Sequence, residues 1–581
     1  MIFFDFEVFK YDWLVVFMDV DRHQETDVMN NPKQLQDYYQ ENVDNIWVGF
    51  NCRHYDKYIF QGILSGFNPK EINDWIIRDG KPGYQFSDVL KSYPLIIYDV
   101  MQNIDRGLKW FEGSMGNDIR ETEVPFDLGR KLTQKELGQT LHYCRHDVEQ
   151  TMQVFIERQA DFNSEMELIK MFNLPLAYIS KTKVQLSAEI LGAQYRNCTD
   201  EFDIHLPPTM DVHKYTQVPE FFMDPKSHRY ADEDGNATQL ILPMAGLNMV
   251  FGYGGVHGAI PKYHSKGYFL NMDVASLYPS LMINYPEYCF SRAVPKSGLE
   301  RFSQIKADRL KYKHEGNKKM SNALKVVING TYGASKDKFN KLYDPRAANN
   351  TCVFGQILVG VDLFEKLEPY SEIIQANTDG ILIRKPDRIT DVDGWFRKID
   401  DIAYEWENRT GLNLEFDDYG YGEIFQKDVN NYIIIDGYDG HYKSKGAYVK
   451  SLSRLDYDLP IVNKALVDRM VKGIPVERTI RSCDELIMFQ MVRKITYKYS
   501  CILYGDKQLN EKCVRVFASV DDQDPGLTKI HAETHNPAKI EGTPEHCFMV
   551  NGDIHDIGCP AKLDKNWYIA LAKERLEGFG I

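Results

Sequence analysis

The segment Ile373–Lys385, IIQANTDGILIRK, sets a polar Asn-Thr-Asp-Gly turn between two strongly apolar, β-favouring runs. Such a strand–turn–strand pattern predicts a tight hairpin. Its tip carries a carboxylate, Asp379. Turn chemistry alone accounts for that residue, because Asn and Asp satisfy their own backbone in turns. The hairpin constrains the whole chain only if a second carboxylate must meet it. "NMDVASLYPSLM" supplies one: Asp273 ends another apolar strand and precedes a tight turn. Two carboxylates held together repel unless cations lie between them.

A chain of 581 residues is too long for one ordinary core, so three or more subdomains are expected. The apolar share of 43% and charged share of 26% indicate a folded chain rather than a disordered one. The N-terminus, MIFFDFEVFKYDW, is apolar but interrupted by Asp5, Glu7 and Lys10, unlike a signal peptide. No apolar stretch is long enough to span a membrane. The ten cysteines are scattered singly without a CxxC pair, which predicts reduced thiols in an intracellular, cytoplasmic protein. A net charge of -15 argues against non-specific nucleic-acid binding by the chain as a whole. Residues 301–341 depart from that balance, with eleven Lys/Arg against three Asp/Glu. A solvated helical face and a polyanion site both fit such a segment.

The first 195 residues alternate apolar runs (Met1–Phe6, Asn45–Phe50, Pro94–Val100) with helical segments and read as α/β. Residues 197–240 form a polar connection ending in "ADEDGNATQ". Tyr263–Val274 is strand-like, residues 300–333 read as a helical hairpin broken at "HEGN", and "NYIIIDGYDGHYKSKGAYV" predicts another β-hairpin. The last 125 residues or so are mixed. There is no internal repeat and no low-complexity tract.

Near the N-terminus, "FFDFEVF" puts Asp5 and Glu7 on one strand face. "VGFNCRHYDKY" offers Asn51, Tyr55 and Asp56 after another apolar strand. "LHYCRHDVE" offers Tyr143 and Asp147, four apart and so neighbours on a helix. Convergence of these carboxylates calls for two Mg²⁺ or Mn²⁺ ions roughly 4 Å apart, with Tyr143 orienting an attacking water. Each piece alone is commonplace. Together, in this order, they resemble the three motifs of the Tyr-containing DEDD 3′–5′ exonucleases. No lysine in the segment before "EVPFD" stands out as a partner for them.

The second constellation surrounds Asp273 and Asp379. The turn Ser276-Leu277-Tyr278 has backbone N–H groups suited to a triphosphate. Arg309 and Lys313 lie four apart on the first helix of the basic hairpin. Lys325, Asn329 and Tyr332 share one face of the second. The three cations suit β- and γ-phosphates, with Tyr332 against a new base pair.

"DVASLYPS", "KVVINGTYG" and "NTDG" resemble motifs A, B and C of family B DNA polymerases, in order. "YGGVHGA" (Tyr253, Gly254, Gly255 and onward) resembles the linker motif of that family, and "KSKGAY" its thumb-side primer-binding motif. The resemblance covers roughly residues 1–450. It implies an α/β and α+β multidomain fold: an RNase H-like exonuclease domain (1–196), linker and first palm segment (197–300), fingers hairpin (301–340), second palm segment (341–455), and thumb with C-terminal region (456–581). It implies a DNA-directed DNA polymerase with proofreading, two Mg²⁺ per site (Mn²⁺ able to substitute), and a monomer acting on primer-template DNA, single-stranded DNA and dNTPs. Metal ligands would be Asp273, Val274 and Asp379 for synthesis, and Asp5, Glu7 and Asp147 for hydrolysis. Tyr278 would exclude a 2′-hydroxyl and Lys325 would stabilise departing pyrophosphate. DNA contacts would fall to Tyr253, Gly254, Gly255, Asn51, Lys443, Lys445 and Tyr448.

Two departures qualify the resemblance. Asn377 stands where the family has the first Asp of Asp-Thr-Asp. The intervals Asp273–Lys325 and Lys325–Asp379, 52 and 54 residues, leave no room for the insertions of protein-primed relatives. The resemblance is therefore to a compact, phage-type replicative enzyme. An exonuclease with a silenced polymerase body, a primer-independent polymerase and, last, a non-catalytic DNA-binding scaffold are the competing readings.

Overall fold

The computed structural model describes residues 1–102 and 106–581. These form two compact, discontinuous units. The first comprises Met1–Thr182, Leu452–Ile461 and Arg481–Tyr568; the second comprises Lys183–Ser451, Val462–Ile480 and Ile569–Ile581. Among the described residues, no helix is long and apolar enough to cross a membrane.

The first unit is built on a five-stranded sheet of order β3-β2-β1-β4-β5. Its strands are β1 (Ile2–Val8), β2 (Trp13–Asp19), β3 (Gln24–Met29), β4 (Ile46–Gly49) and β5 (Ile96–Asp99). β1 pairs antiparallel with β2 and parallel with β4, and β4 pairs parallel with β5. Alternation along β1 sorts its side chains. Phe4 and Phe6 enter an aromatic core with Phe17, Trp47 and Phe60. Burial of each such ring contributes about 1.5–3 kcal/mol. The odd residues face the other way, and the Phe3 ring meets Phe155 at 5.3 Å, on the helix Gln134–Glu157. That helix starts at a capping box formed by Thr133 and Glu136.

The second unit holds a hairpin, β6 (Gln239–Met244) and β7 (Leu247–Gly252), turned at Ala245 and Gly246 with positive φ. Its main sheet runs β14-β13-β12-β9-β11-β10-β8. The members are β8 (Gly258–Ala259), β9 (Tyr263–Val274), β10 (Glu372–Ala376), β11 (Gly380–Arg384), β12 (Leu414–Asp428), β13 (Asn431–Ile435) and β14 (Tyr442–Lys445), all paired antiparallel. The basic segment forms two helices, Lys296–His314 and Lys318–Ser335. The helix Lys183–Leu191, read from sequence with the first domain, belongs to this second unit. Gly330 lets it approach: a Cβ there would lie 3.1 Å from the Ser187 hydroxyl, and Lys341 pairs with Glu189 at 3.0 Å.

The stretch 456–581, read from sequence as one region, is divided. Residues 481–568 rejoin the first unit, contributing a sheet of β15 (Met491–Lys494), β18 (Cys513–Ala518) and β21 (Cys547–Met549). A second sheet there is β17-β16-β19-β20, from Lys507–Gln508, Tyr499–Tyr504, Leu527–His531 and Pro537–Lys539. The physical reason is apolar burial at long sequence range: Val492 of β15 fills the space that a side chain at Gly113 would need.

Candidate active sites

In the first unit, Asp5 and Glu7 leave β1 on the face turned to Gln134–Glu157. The Cys144 thiol of that helix donates to the Asp5 carbonyl oxygen at 3.3 Å. Asp56 opens the helix Asp56–Leu64 and accepts the Phe6 N–H at 3.1 Å. β4 pairs with β1 only through Ile2 and Phe3, which leaves that amide for Asp56. Burial holds the carboxyls of Asp5 and Glu7 well above the usual range, and repulsion from Asp56 and Asp147 adds to it. Asp56 is pushed up to about 7, chiefly by burial. Burial also raises Asp147, against the pull of Lys109.

Lys109 is the residue that the sequence did not reveal. Its Nζ donates to Asp147 Oδ1 at 2.9 Å and Glu112 Oε2 at 3.0 Å, and sits 4.8 Å from the centre of the Tyr143 ring. Burial disfavours this ammonium, but Asp147 and Glu112 more than offset that and its pKa is raised. The available signal was a lysine followed by two aromatic residues with a glutamate three residues on (Lys109, Trp110, Phe111, Glu112). Tyr143 donates its hydroxyl to Glu121 Oε2 at 2.8 Å. Burial and the surrounding carboxylates keep that hydroxyl protonated. A cavity of about 270 Å³ opens beside it, lined by Arg120, Glu121, His142 and His146 among others. Asn51 lies on the loop after β4 with φ of 58° and donates its backbone N–H to Asp99. Tyr55 donates to Asn73.

The donor set fits divalent ions. Ligand atoms of Asp5, Glu7 and Cys144 lie within 4.8 Å of one another, as do those of Glu112, His146 and Asp147. In the second set the Lys109 ammonium already provides a cation. The remaining oxygens, desolvated and mutually repelling, suit a hard ion such as Mg²⁺ or Mn²⁺.

In the second unit, β9 and β11 pair so that Asp273 faces Gly380, the residue after Asp379. The Val274 N–H donates to the Asp379 carbonyl at 2.7 Å, locking the two strand ends together. A Cβ on Gly380 would fall 1.8 Å from Asp273 Oδ1, so only glycine leaves the Asp273 carboxylate in this position. Asn271 donates to Asp273 Oδ2 at 2.8 Å. Burial, then the Asp379 charge, pushes Asp273 up to about 6. Asp379 itself is exposed. Asn377 holds the turn: its Oδ1 accepts the N–H groups of Asp379 and Gly380 at 3.2 and 3.1 Å. The turn needs an acceptor there, and an amide oxygen serves.

A cavity of about 240 Å³ adjoins Asp379, lined by Ser276, Leu277, Tyr278, Asn329 and Tyr332 among others. The Tyr278 and Tyr332 rings stand 4.2 Å apart, and the Tyr332 hydroxyl lies 3.0 Å from Cys352 Sγ. Arg309 donates to the Ser276 hydroxyl at 3.0 Å, and Lys306 to Ser280 at 2.6 Å. Lys306 was legible only as one charge among many in the basic segment. Lys313 reaches Glu415 at 3.3 Å, and Lys325 is exposed one turn before Asn329. Gly255 approaches the hairpin tip so closely that a Cβ would meet Thr378 Oγ1 at 2.0 Å. Tyr253 turns its ring into a cluster with Phe202, Phe222 and Tyr230, and the Gly254 carbonyl accepts from Cys352 and Gln356. On β14, Lys443 pairs with Asp417 at 2.7 Å while Lys445 is exposed. Lys427 and Arg575 flank the Tyr448 ring.

No protein-family model and no curated protein sequence matches the chain. Among solved structures, it is similar to the family B DNA polymerase from the hyperthermophilic archaeon Pyrobaculum calidifontis. The match has 13% identity, a TM-score of 0.40, and covers 99% of this chain and 77% of that one.

Proposed function

We propose that this chain is a DNA-templated DNA polymerase that extends primers at Asp273 and Asp379 and removes 3′-terminal nucleotides at Asp5, Glu7, Asp56 and Asp147. The observation that carries the reading is the β9–β11 register, which sets Asp379 beside Asp273 at the mouth of a cavity floored by Tyr278 and Tyr332. Divalent ions bound by these carboxylates would supply charge neutralisation at the phosphates and activation of the attacking oxygen. The chain's own groups do the rest. Arg309, Lys313 and Lys325 bind the triphosphate. Lys313 gives up an exposed pair with Glu415 to do so, at a cost of about 0–1 kcal/mol. Tyr278 and Tyr332 bracket the incoming sugar and base. Lys443 and Lys445 contact the primer backbone, with salt-sensitive affinity. At the nuclease site Tyr143 orients water from a neutral hydroxyl, and Lys109 offsets one of the buried charges. The short spacing of the motifs supports a phage-type replicative role in a host cytoplasm.

The test is a labelled primer on a single-stranded template with Mg²⁺, with and without dNTPs. Wild type should extend with dNTPs and shorten the primer without them. Asp379→Ala should lose extension only, and Asp5→Ala/Glu7→Ala should lose shortening only, each by about 10³-fold or more. A wild type that only shortens, in Mn²⁺ as well, would make the Asp273–Asp379 site a silent one.

A further inference from the structure

The helix Leu108–Met115 carries Lys109, yet at eight residues it has little stability of its own. Lys109 also sits at the helix N-terminal end, where the dipole disfavours a cation. What holds the helix comes from some 400 residues further along the chain. Arg515 of β18 donates through Nη2 to the carbonyls of Gly113 and Asn117, at 3.1 and 2.7 Å. Its Nη1 ties the same guanidinium to the carbonyls of Val550 and Gly552, at 3.2 and 2.7 Å. Gln490 donates to the Ser114 carbonyl at 3.0 Å and the Ile554 N–H to that of Gly116 at 3.0 Å. The Cys513 thiol donates to the Lys109 carbonyl at 3.6 Å. Apart from the Lys109 carbonyl, these acceptors lie in the last turn or just beyond it, where helical bonding runs out; the Gly113 carbonyl also takes the Gly116 N–H at 3.2 Å. Arg515 is fully buried, and burial lowers its pKa to about 10. A buried guanidinium spent on backbone carbonyls is a costly way to pack a sheet against a helix, since apolar residues do that without desolvating a charge.

We infer that Arg515 is a positioning residue for the nuclease reaction: with the segment around it, it fixes the helix Leu108–Met115 and thereby the seat of Lys109 between Asp147 and Glu112. This rests on the nuclease reading of the first site. It predicts that residues lying far outside the nuclease motifs are needed for 3′-end removal and not for synthesis.

The experiment is a double-mutant cycle on primer shortening in the full chain: wild type, Lys109→Met, Arg515→Met and the double variant. Amide exchange of residues 108–117 is followed in parallel. Lys109→Met should lower kcat by about 10²-fold with KM unchanged. Arg515→Met should lower kcat by about 10–10²-fold, again with KM unchanged, and speed exchange of residues 108–117. The double variant should be no slower than Lys109→Met alone, and primer extension should be unchanged throughout. Gln490→Leu, which removes the Ser114 carbonyl's partner along with a bond to the Tyr457 carbonyl at 2.7 Å, should show the same pattern more weakly and stands in if Arg515→Met does not fold. Multiplying losses, or extension falling in step with shortening, would overturn the inference and leave Arg515 a purely structural residue. Faster exchange with undiminished shortening would overturn it too. A wild type that never shortens primers would instead sink the nuclease reading, and the positioning role of Arg515 with it.

Discussion

The two acidic sites solve the same electrostatic problem in opposite ways. The first buries its carboxylates, raises their pKa values and draws in an ammonium of its own, Lys109, held between Asp147 and Glu112. The second leaves Asp379 exposed and keeps its cations on the rim, where Lys313 has only an exposed partner. A site that carries its own counter-ion is set to act on a single small group brought to it. A site with cations around an open cavity is set to receive a polyanion, which completes the charge balance on arrival. The contrast accords with hydrolysis at a strand end in one place and triphosphate binding in the other.

The open site depends on backbone closeness more than on charge, and one substitution exploits that. Gly380→Ala would place a methyl group 1.8 Å from Asp273 Oδ1 and 3.0 Å from the Met272 carbonyl, so the Asp273 carboxylate must turn out of its place. Primer extension should fall by about 10²-fold, the usual consequence of misplacing a reacting group by an ångström. Shortening by the other site should be unaffected. Single-turnover rates for both activities in one preparation make the measurement, and a variant that extends normally would show that Asp273 and Asp379 need not be so tightly held.

Much of this was legible because the chemistry lies on regular elements. Period-two alternation in "FFDFEVF" separates Phe4 and Phe6 from Asp5 and Glu7, and the β1 register bears this arrangement. The Asn-Thr-Asp-Gly turn and the Tyr263–Val274 strand were readable for the same reason. Their pairing was not, since nothing local in either segment says that Asp273 will face Gly380. Lys109 was hidden because its partners, Glu112 apart, lie 34 or more residues away on another helix, and a lysine in a short segment reads as solvated until those partners are known. The attachment of residues 481–568 to the first unit was illegible for the same physical reason. The groups that join them are Val492 packed at Gly113, a buried arginine, a glutamine and backbone carbonyls, and their pairing across some 380 to 440 residues leaves no local sequence pattern.

The buried site should also reveal itself through pH. Its carboxyls have folded-state pKa values raised above those of the unfolded chain, Asp56 to about 7. Their contribution to stability is therefore fully present below about pH 4 and is lost as pH rises through their raised folded-state values, about 7 for Asp56. In EDTA, the first thermal unfolding midpoint should drop by about 3 °C or more between pH 6 and pH 8. Excess Mg²⁺ should abolish the drop, because it binds the ionised form. Glu7→Gln should shrink it, whereas Asp273→Asn, in the open site, should leave most of it. A midpoint that rises between pH 6 and 8 in EDTA would contradict the burial of these four groups.

If the open site tolerates charge because it faces water and cations, then adding one carboxylate at its turn should matter little. Asn377→Asp keeps the acceptor that the Asp379 and Gly380 amides require and adds a negative charge beside an exposed one. An exposed like charge is worth about 1 kcal/mol or less, so single-nucleotide incorporation should change by less than about tenfold, in Mg²⁺ or Mn²⁺. Asn377→Ala removes the acceptor instead and frees two N–H groups, each worth about 0.5–1.5 kcal/mol. It should therefore slow incorporation more than Asn377→Asp does. The reverse order would mean that the charge at residue 377, and not the geometry of the turn, governs the site, and that the asparagine itself tunes the rate of synthesis.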